Sequence, residues 1–470
     1  MKVCRANAIY CLRKFSVLML IVFTMTCWIT PIAKTYAATT CKSEIARIVS
    51  SQGTIEIRRA QEDTWQQVSM GEILCTGDMI RVRSQSRAAL RLSNNSLLRL
   101  DQKTSITFPE IQDKMSTSLL DLFEGAIHII TRTPKPFKIR TPFVNASVEG
   151  TEFFVGLKEN DTRIVVYEGK VSASNDFGSL LLSDHEAAIT YKGQAPHKEI
   201  IIRPTDAVQW ALYYPVILHY WQGDVGGVSA LILQASQLLT VGQADEAKEI
   251  IQQVLLLEPN NNNAHALLAI IALVQNEKDQ ALELASKAVT LDQESAAGYL
   301  ALSYVQQAHF KIEAALESVQ KALVLDTNNA LILARLAELQ ISVGYLERAL
   351  DAAKLAVNLN PDLAKTQTVL GFAHLLQIDT QTAKDIFHRA IALDQADPMP
   401  RLGLGLALIR EGELEAGRIE LEIAASLDPA NSLIRSYLGK AYFEEKRYSL
   451  ASTQFDLAKE RDPKDPTPWF

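Results

Sequence analysis

From about residue 228 to residue 465 the sequence repeats itself at a step of about 34 residues, and three columns of small side chains keep that register without an insertion. One column runs Ala235, Ala269, Ser303, Ala337, Gly371, Gly405, Gly439. A second runs Ala247, Ala281, Ala315, Ala349, Ala383, Gly417, Ala451, and a third Val254, Ala288, Ala322, Ala356, Ala390, Ala424, Ala458. Two helices approach closely only where side chains are small, so each column marks a helix crossing. Pro259, Pro361, Pro429 and Pro463 recur where one helix stops and a turn into the next begins. Gly242, Gly344 and Gly412 fall where a left-handed residue closes the loop inside a hairpin. The pattern predicts about seven helical hairpins, each with an apolar face that only a stacked neighbour can hide, hence a superhelical solenoid. Residues 466–470 read as the start of a further helix or as a truncated end.

This half of the chain resembles tetratricopeptide repeats. It departs from their consensus at the tryptophan of the first helix, where it carries Leu231, His265, Tyr299, Leu333, Gln367, Arg401 and Arg435. The resemblance implies a concave groove that holds a peptide or protein. Fixed offsets along the first helices assign Leu300, Tyr304, Glu338, Phe372, Leu402, Leu406, Lys440 and Phe443 to its lining, a mixed surface with an apolar tendency. The competing reading of each is that it belongs to the core between helices.

Between residues 41 and 203 the period changes from helical to alternating, as in Thr54-Ile55-Glu56-Ile57 and Ala89-Leu90-Arg91-Leu92. Alternation between turn signals such as Gly77-Asp78, Asn94-Asn95 and Glu168-Gly169 predicts an all-β module, whether sandwich, barrel or β-roll. Arg140-Thr141-Pro142, the run Val148-Glu149-Gly150-Thr151-Glu152-Phe153 and Glu168-Gly169-Lys170-Val171, with Trp65, Gly71 and Ser86-Arg87-Ala88 before them, resemble the periplasmic domain of the FecR family. That resemblance implies a bacterial envelope domain; better-known members relay a surface signal to a cytoplasmic regulator. The chain is therefore expected to be multidomain, with an all-β module followed by an all-α solenoid.

Basic residues Lys2, Arg5, Arg13 and Lys14 precede an apolar run from Phe15 to Ala33, which predicts an export signal over 1–37 with a mature start near Ala38. An uncleaved anchor is the alternative, and only then would the membrane be a partner. Beyond this segment only Cys41 and Cys75 remain, and an oxidising compartment would pair them in a disulfide; a buried Cys75 with a free Cys41 is the other reading. Between the modules, over 204–227, lies an aromatic linker with Trp210, Tyr213, Tyr214, Tyr220 and Trp221. These residues either pack the β-module against the first helix or form an exposed patch that docks a partner or a glycan.

With 47 basic against 54 acidic residues, a net charge of -7 gives no reason to expect nucleic acid. The eight histidines form no metal-ligand spacing, no phosphate-binding glycine loop occurs, and no serine sits in a nucleophile elbow. The expectation is a non-enzymatic, cofactor-free interaction scaffold, exported to the periplasm or cell envelope. An anchored sensor and a glycan- or peptidoglycan-binding protein are the alternatives.

Overall fold

The alternating segments become seventeen strands among the described residues, between Glu44 and Glu199, arranged as two sheets face to face. The computed structural model describes residues 41, 44–109, 118–132, 137–148, 150–200, 204–218 and 226–469; the expected export signal, Tyr220 and Trp221 lie outside them. Of the three architectures left open by the sequence, the structure is the sandwich. The long strand Ser118–Ile130 belongs to both sheets. Its first half pairs with Ser105–Thr107 and, in parallel, with Phe137–Arg140. Its second half pairs with Leu97–Leu100 and Glu152–Leu157. The strand changes layer at Gly125, whose φ of 88° and contact with Thr104, 2.4 Å from where a Cβ would stand, leave no room for another residue.

Between the sheets lies one apolar core, with Ile57, Ile80, Leu120 and Phe137 from one layer against Leu90, Leu98, Ile129 and Phe153 from the other. One sheet is buried on its outer face too, so its strand Leu97–Leu100 is buried at every position. A sheet covered on both faces reads as a near-continuous apolar run, which is why Ile164-Val165-Val166-Tyr167 scarcely alternates.

Fourteen α-helices follow among the described residues, as seven hairpins. They are α1 (Gly227–Thr240) with α2 (Ala244–Leu257), α3 (Asn262–Val274) with α4 (Lys278–Leu291), and α5 (Ala296–Ala308) with α6 (Ile312–Leu325). Then come α7 (Ala330–Ser342) with α8 (Leu346–Leu359), α9 (Ala364–Leu376) with α10 (Thr380–Leu393), α11 (Pro398–Arg410) with α12 (Leu414–Leu427), and α13 (Ser432–Glu444) with α14 (Tyr448–Arg461). Side-chain caps begin many of the first helices: Asn261, Ser295, Asn329, Asp397 and Asn431 each accept a backbone N–H of the first turn. No helix among the described residues is long and apolar enough to cross a membrane.

The solenoid curls until its second hairpin meets its last. Asn276 Nδ2 donates to the Arg461 carbonyl at 2.9 Å, and Lys278 pairs with Asp462 at 2.8 Å. Ser43–Phe470 forms one compact unit, and the sandwich bridges the two ends of the helical ring. Cys41 and Cys75 are both in disulfide form.

The small columns make this packing strict. A Cβ on Gly405 would stand 2.8 Å from the Gly417 carbonyl and 2.9 Å from Leu421 Cγ. Gly405→Leu is expected to cost about 1–3 kcal/mol through overpacking, read as a lowered urea midpoint.

Candidate functional site

The concave side of the solenoid is where the first helices line an interior space, and the chain itself already fills part of it. After the short 3-10 segment Pro204–Ala211, residues 212–218 run without helix or strand. Leu212, Tyr214 and Ile217 are buried in the same cluster as Ile232, Ile270, Leu300 and Ala334 from successive first helices. Pro215 fixes its own φ and biases Tyr214 toward extended backbone, which suits a segment laid along a channel. Arg87, from the strand Arg87–Leu92, secures the strap by donating to the carbonyls of Trp210 at 3.1 Å, Leu212 at 2.9 Å and Thr240 at 3.1 Å.

Beside the strap remains a cavity of about 420 Å³, lined by Tyr213, Pro215, Tyr304, Glu338, Lys365 and Met399 among others. The guanidinium of Arg335 lies 3.9 Å from the centre of the Tyr304 ring, and Glu338 bridges Arg335 and Lys365 at 2.9 Å each. Burial raises the Glu338 carboxyl, but the Lys365 and Arg335 charges outweigh it and hold the group down at about 2.

Of the residues assigned to the groove from the sequence, Tyr304 and Glu338 line this cavity. Leu300 and Leu402 do not: both are 1 % exposed and serve the helix core. Phe372 stacks edge-on against Phe387 with centroids 5.1 Å apart, and Leu406 packs into the same cluster. Lys440 lies over Tyr437, while Phe443 is exposed beside Tyr448. Of the linker aromatics, the three within the described residues are not an exposed patch. Tyr214 is buried, Tyr213 faces the cavity, and Trp210 packs on Phe154 and Tyr167 with its Nε1 donating to the Ala207 carbonyl at 3.1 Å.

What the sequence reading missed is the surface that holds the two modules together. Val49, Ala89, Leu97 and Ile130 of the sandwich close over Ile423 and Leu427 of α12, with Ile419 beside them. At the edge of this contact Arg435 grips Glu152 with two hydrogen bonds of 2.6 and 2.9 Å, and both side chains are almost fully buried. His128 lies 3.2 Å and Arg132 3.4 Å from the same carboxylate. Burial raises the Glu152 carboxyl, but the charge of Arg435 and the closely placed His128 hold it well below the usual range. Arg401 donates to the Val49 carbonyl at 2.5 Å, and Arg99 to the Ser426 carbonyl at 3.3 Å. A signal for this surface was present: Arg401 and Arg435 stand where the repeat consensus has tryptophan.

Known families map onto these parts. The FecR protein family matches residues 78–172, and two tetratricopeptide repeat families match 238–303 and 402–466. Among solved structures, the Cut9 complex with Hcn1 from the APC/C is 17% identical with a TM-score of 0.43, covering 52% of this chain and 48% of that one. The chain thus spans about half the length of that structure. PilF of Pseudomonas aeruginosa is 22% identical with a TM-score of 0.33, covering 45% of this chain and 96% of its own. Human IFIT1 with m7Gppp-AAAA is 17% identical with a TM-score of 0.42, covering 52% and 61%. No curated protein matches the sequence. Among the described residues no group of three or more His, Cys, Asp or Glu is placed to hold a metal ion.

Two measurements test this geometry. Removing one partner of a buried ion pair strands the other, so Glu152→Ala is expected to cost about 3–5 kcal/mol in urea unfolding, with the double variant Glu152→Leu, Arg435→Met recovering most of it. The second concerns Asp397, which burial and the charge of Asp394 raise from 3.8 to about 7. Because its folded value lies above the unfolded one, its contribution is full below the unfolded value and is lost as pH rises through the folded value. Asp397→Asn keeps the helix cap and removes that loss. Its melting temperature relative to the unsubstituted chain is expected to be higher at about pH 8 than at about pH 5.

Proposed function

We propose that this chain, in which a FecR module is joined to seven tetratricopeptide hairpins, is a protein-binding scaffold of the cell envelope. Tetratricopeptide repeats support protein–protein interaction as the general role; the envelope location and the nature of the partner are our own reading. The observation that carries it is the interior channel. It is lined by helices of the solenoid, the loops between them, the sandwich and the strap, its lining mixes aromatic, amide and charged groups, and about 420 Å³ of it stays open beside the strap. That space admits a few side chains of an incoming segment. The FecR module gives the channel a fixed frame by spanning both ends of the ring.

The envelope location draws on the basic and apolar start of the sequence and on the disulfide form of Cys41 and Cys75, a state that persists in oxidising compartments. In fractionated cells the mature protein is expected outside the cytoplasm, with neither thiol alkylated until a reductant is added. Cytoplasmic protein with free thiols would refute that location.

The scaffold role is tested by capture from an envelope extract, with bound proteins identified by mass spectrometry. Ala308→Arg with Met399→Arg, both lining the cavity, should lower capture at least tenfold while the melting temperature stays within a few degrees. Equal capture by the variant and the unsubstituted chain would remove the channel as the binding site.

A further inference from the structure

We propose that residues 207–218 are an internal ligand of the solenoid, so that an external partner enters the channel only by exchanging with this strap. The inference rests on the scaffold reading and adds to it both a gate and the chemistry of the incoming segment.

The strap is held as a bound peptide would be. Its buried side chains Leu212, Tyr214 and Ile217 belong to one apolar cluster with Ile232, Ile270 and Ala334, which come from first helices of the solenoid. Its backbone is read through carbonyls, two of them taken by Arg87. Gln275 reaches Gln209 at 2.8 Å, and the Tyr213 hydroxyl lies 3.5 Å from Asp394. Extended peptides are recognised in this manner, by main-chain hydrogen bonds with alternate side chains in pockets.

The strap also differs from an ordinary connector. A link between two domains normally runs over the surface, because interior backbone needs partners for its polar groups. Here the connector passes through the interior, and an arginine from the far module supplies those partners. The arginine is itself buried, and burial pushes its guanidinium below its ordinary value. Holding that charge in place depends on the sandwich staying docked on the ring. The strap, the Arg87 contacts and the Glu152–Arg435 pair therefore stand or fall together. Loosening the docked sandwich frees the channel, and filling the channel from outside loosens the sandwich, because a coupling between two binding events acts in both directions.

The strap specifies its competitor. Between Ala207 and Leu218 it carries no charged residue, places aliphatic or aromatic side chains at 212, 214 and 217, and has a proline at 215. The partner segment that fits is likewise uncharged and proline-containing, extended over the part that matches 212–218, with apolar side chains at that spacing.

The test uses the full chain and a fluorescent peptide of residues 207–218 with a solubilising lysine tail. In the variant Leu212→Asp, Ile217→Asp the internal copy is disabled. It should bind the peptide at least tenfold more tightly than the unsubstituted chain, and a peptide carrying the same two aspartates should not bind. Equal binding to both chains, or no binding by a variant whose helical circular dichroism is intact, overturns the proposal. Should that variant fail to fold, Arg87→Gln provides the second measurement: added peptide should raise its melting temperature by several degrees and leave the unsubstituted chain unmoved, and no rise overturns the proposal. An extract that yields no partner while the peptide binds as described counts against the scaffold reading alone.

Discussion

The structure depends on one sheet being covered on both faces over its central strands. The inner face of that sheet packs against the other layer of the sandwich, and its outer face lies on the helices and on the strap. The arginines admitted to that second contact each donate to a carbonyl or a carboxylate across it. Arg435 is fully satisfied by Glu152, Gln454 and the Pro429 carbonyl, while Arg99, pushed down to about 9 by burial and by the charge of Arg87, reaches the Ser426 carbonyl. Apolar contact supplies the attraction, because it scales with area, while the arginines fix the register, because a buried charge tolerates no misplacement.

Much of this was legible in the sequence, and the missing part was missed for a definite reason. The small-residue columns specify the hairpins because helix crossings impose a steric rule on each repeat separately. The alternation in Thr54-Ile55-Glu56-Ile57 specifies strands in the same local way. Docking is not local. Arg87, Arg99, His128 and Glu152 occupy the polar phase of their strands, and polar phases ordinarily face water. Nothing within a strand says that a helix 283 residues further on will cover it, as Arg435 covers Glu152. The departures from the tryptophan position carried that information, although in a single sequence they read as ordinary variation.

The candidate site shows the same division. Offsets along the first helices picked out columns of residues, of which Tyr304 and Glu338 line the cavity. They could not separate the residues that face the channel from those that close the gap between neighbouring hairpins, because superhelical twist turns the same offset through different surroundings. Tyr304 faces the space, while Phe372, at the same offset two repeats further on, packs edge-on against Phe387.

The meeting of Asn276 and Lys278 with Arg461 and Asp462 makes the solenoid a circle of counted parts. Stacked-repeat proteins commonly lengthen or shorten by whole units, since each unit touches only its neighbours. Here the circumference is set by where the second unit greets the seventh and by a sandwich whose span matches both ends. A duplication or loss of one unit between these two would leave that latch open and the sandwich too narrow or too wide.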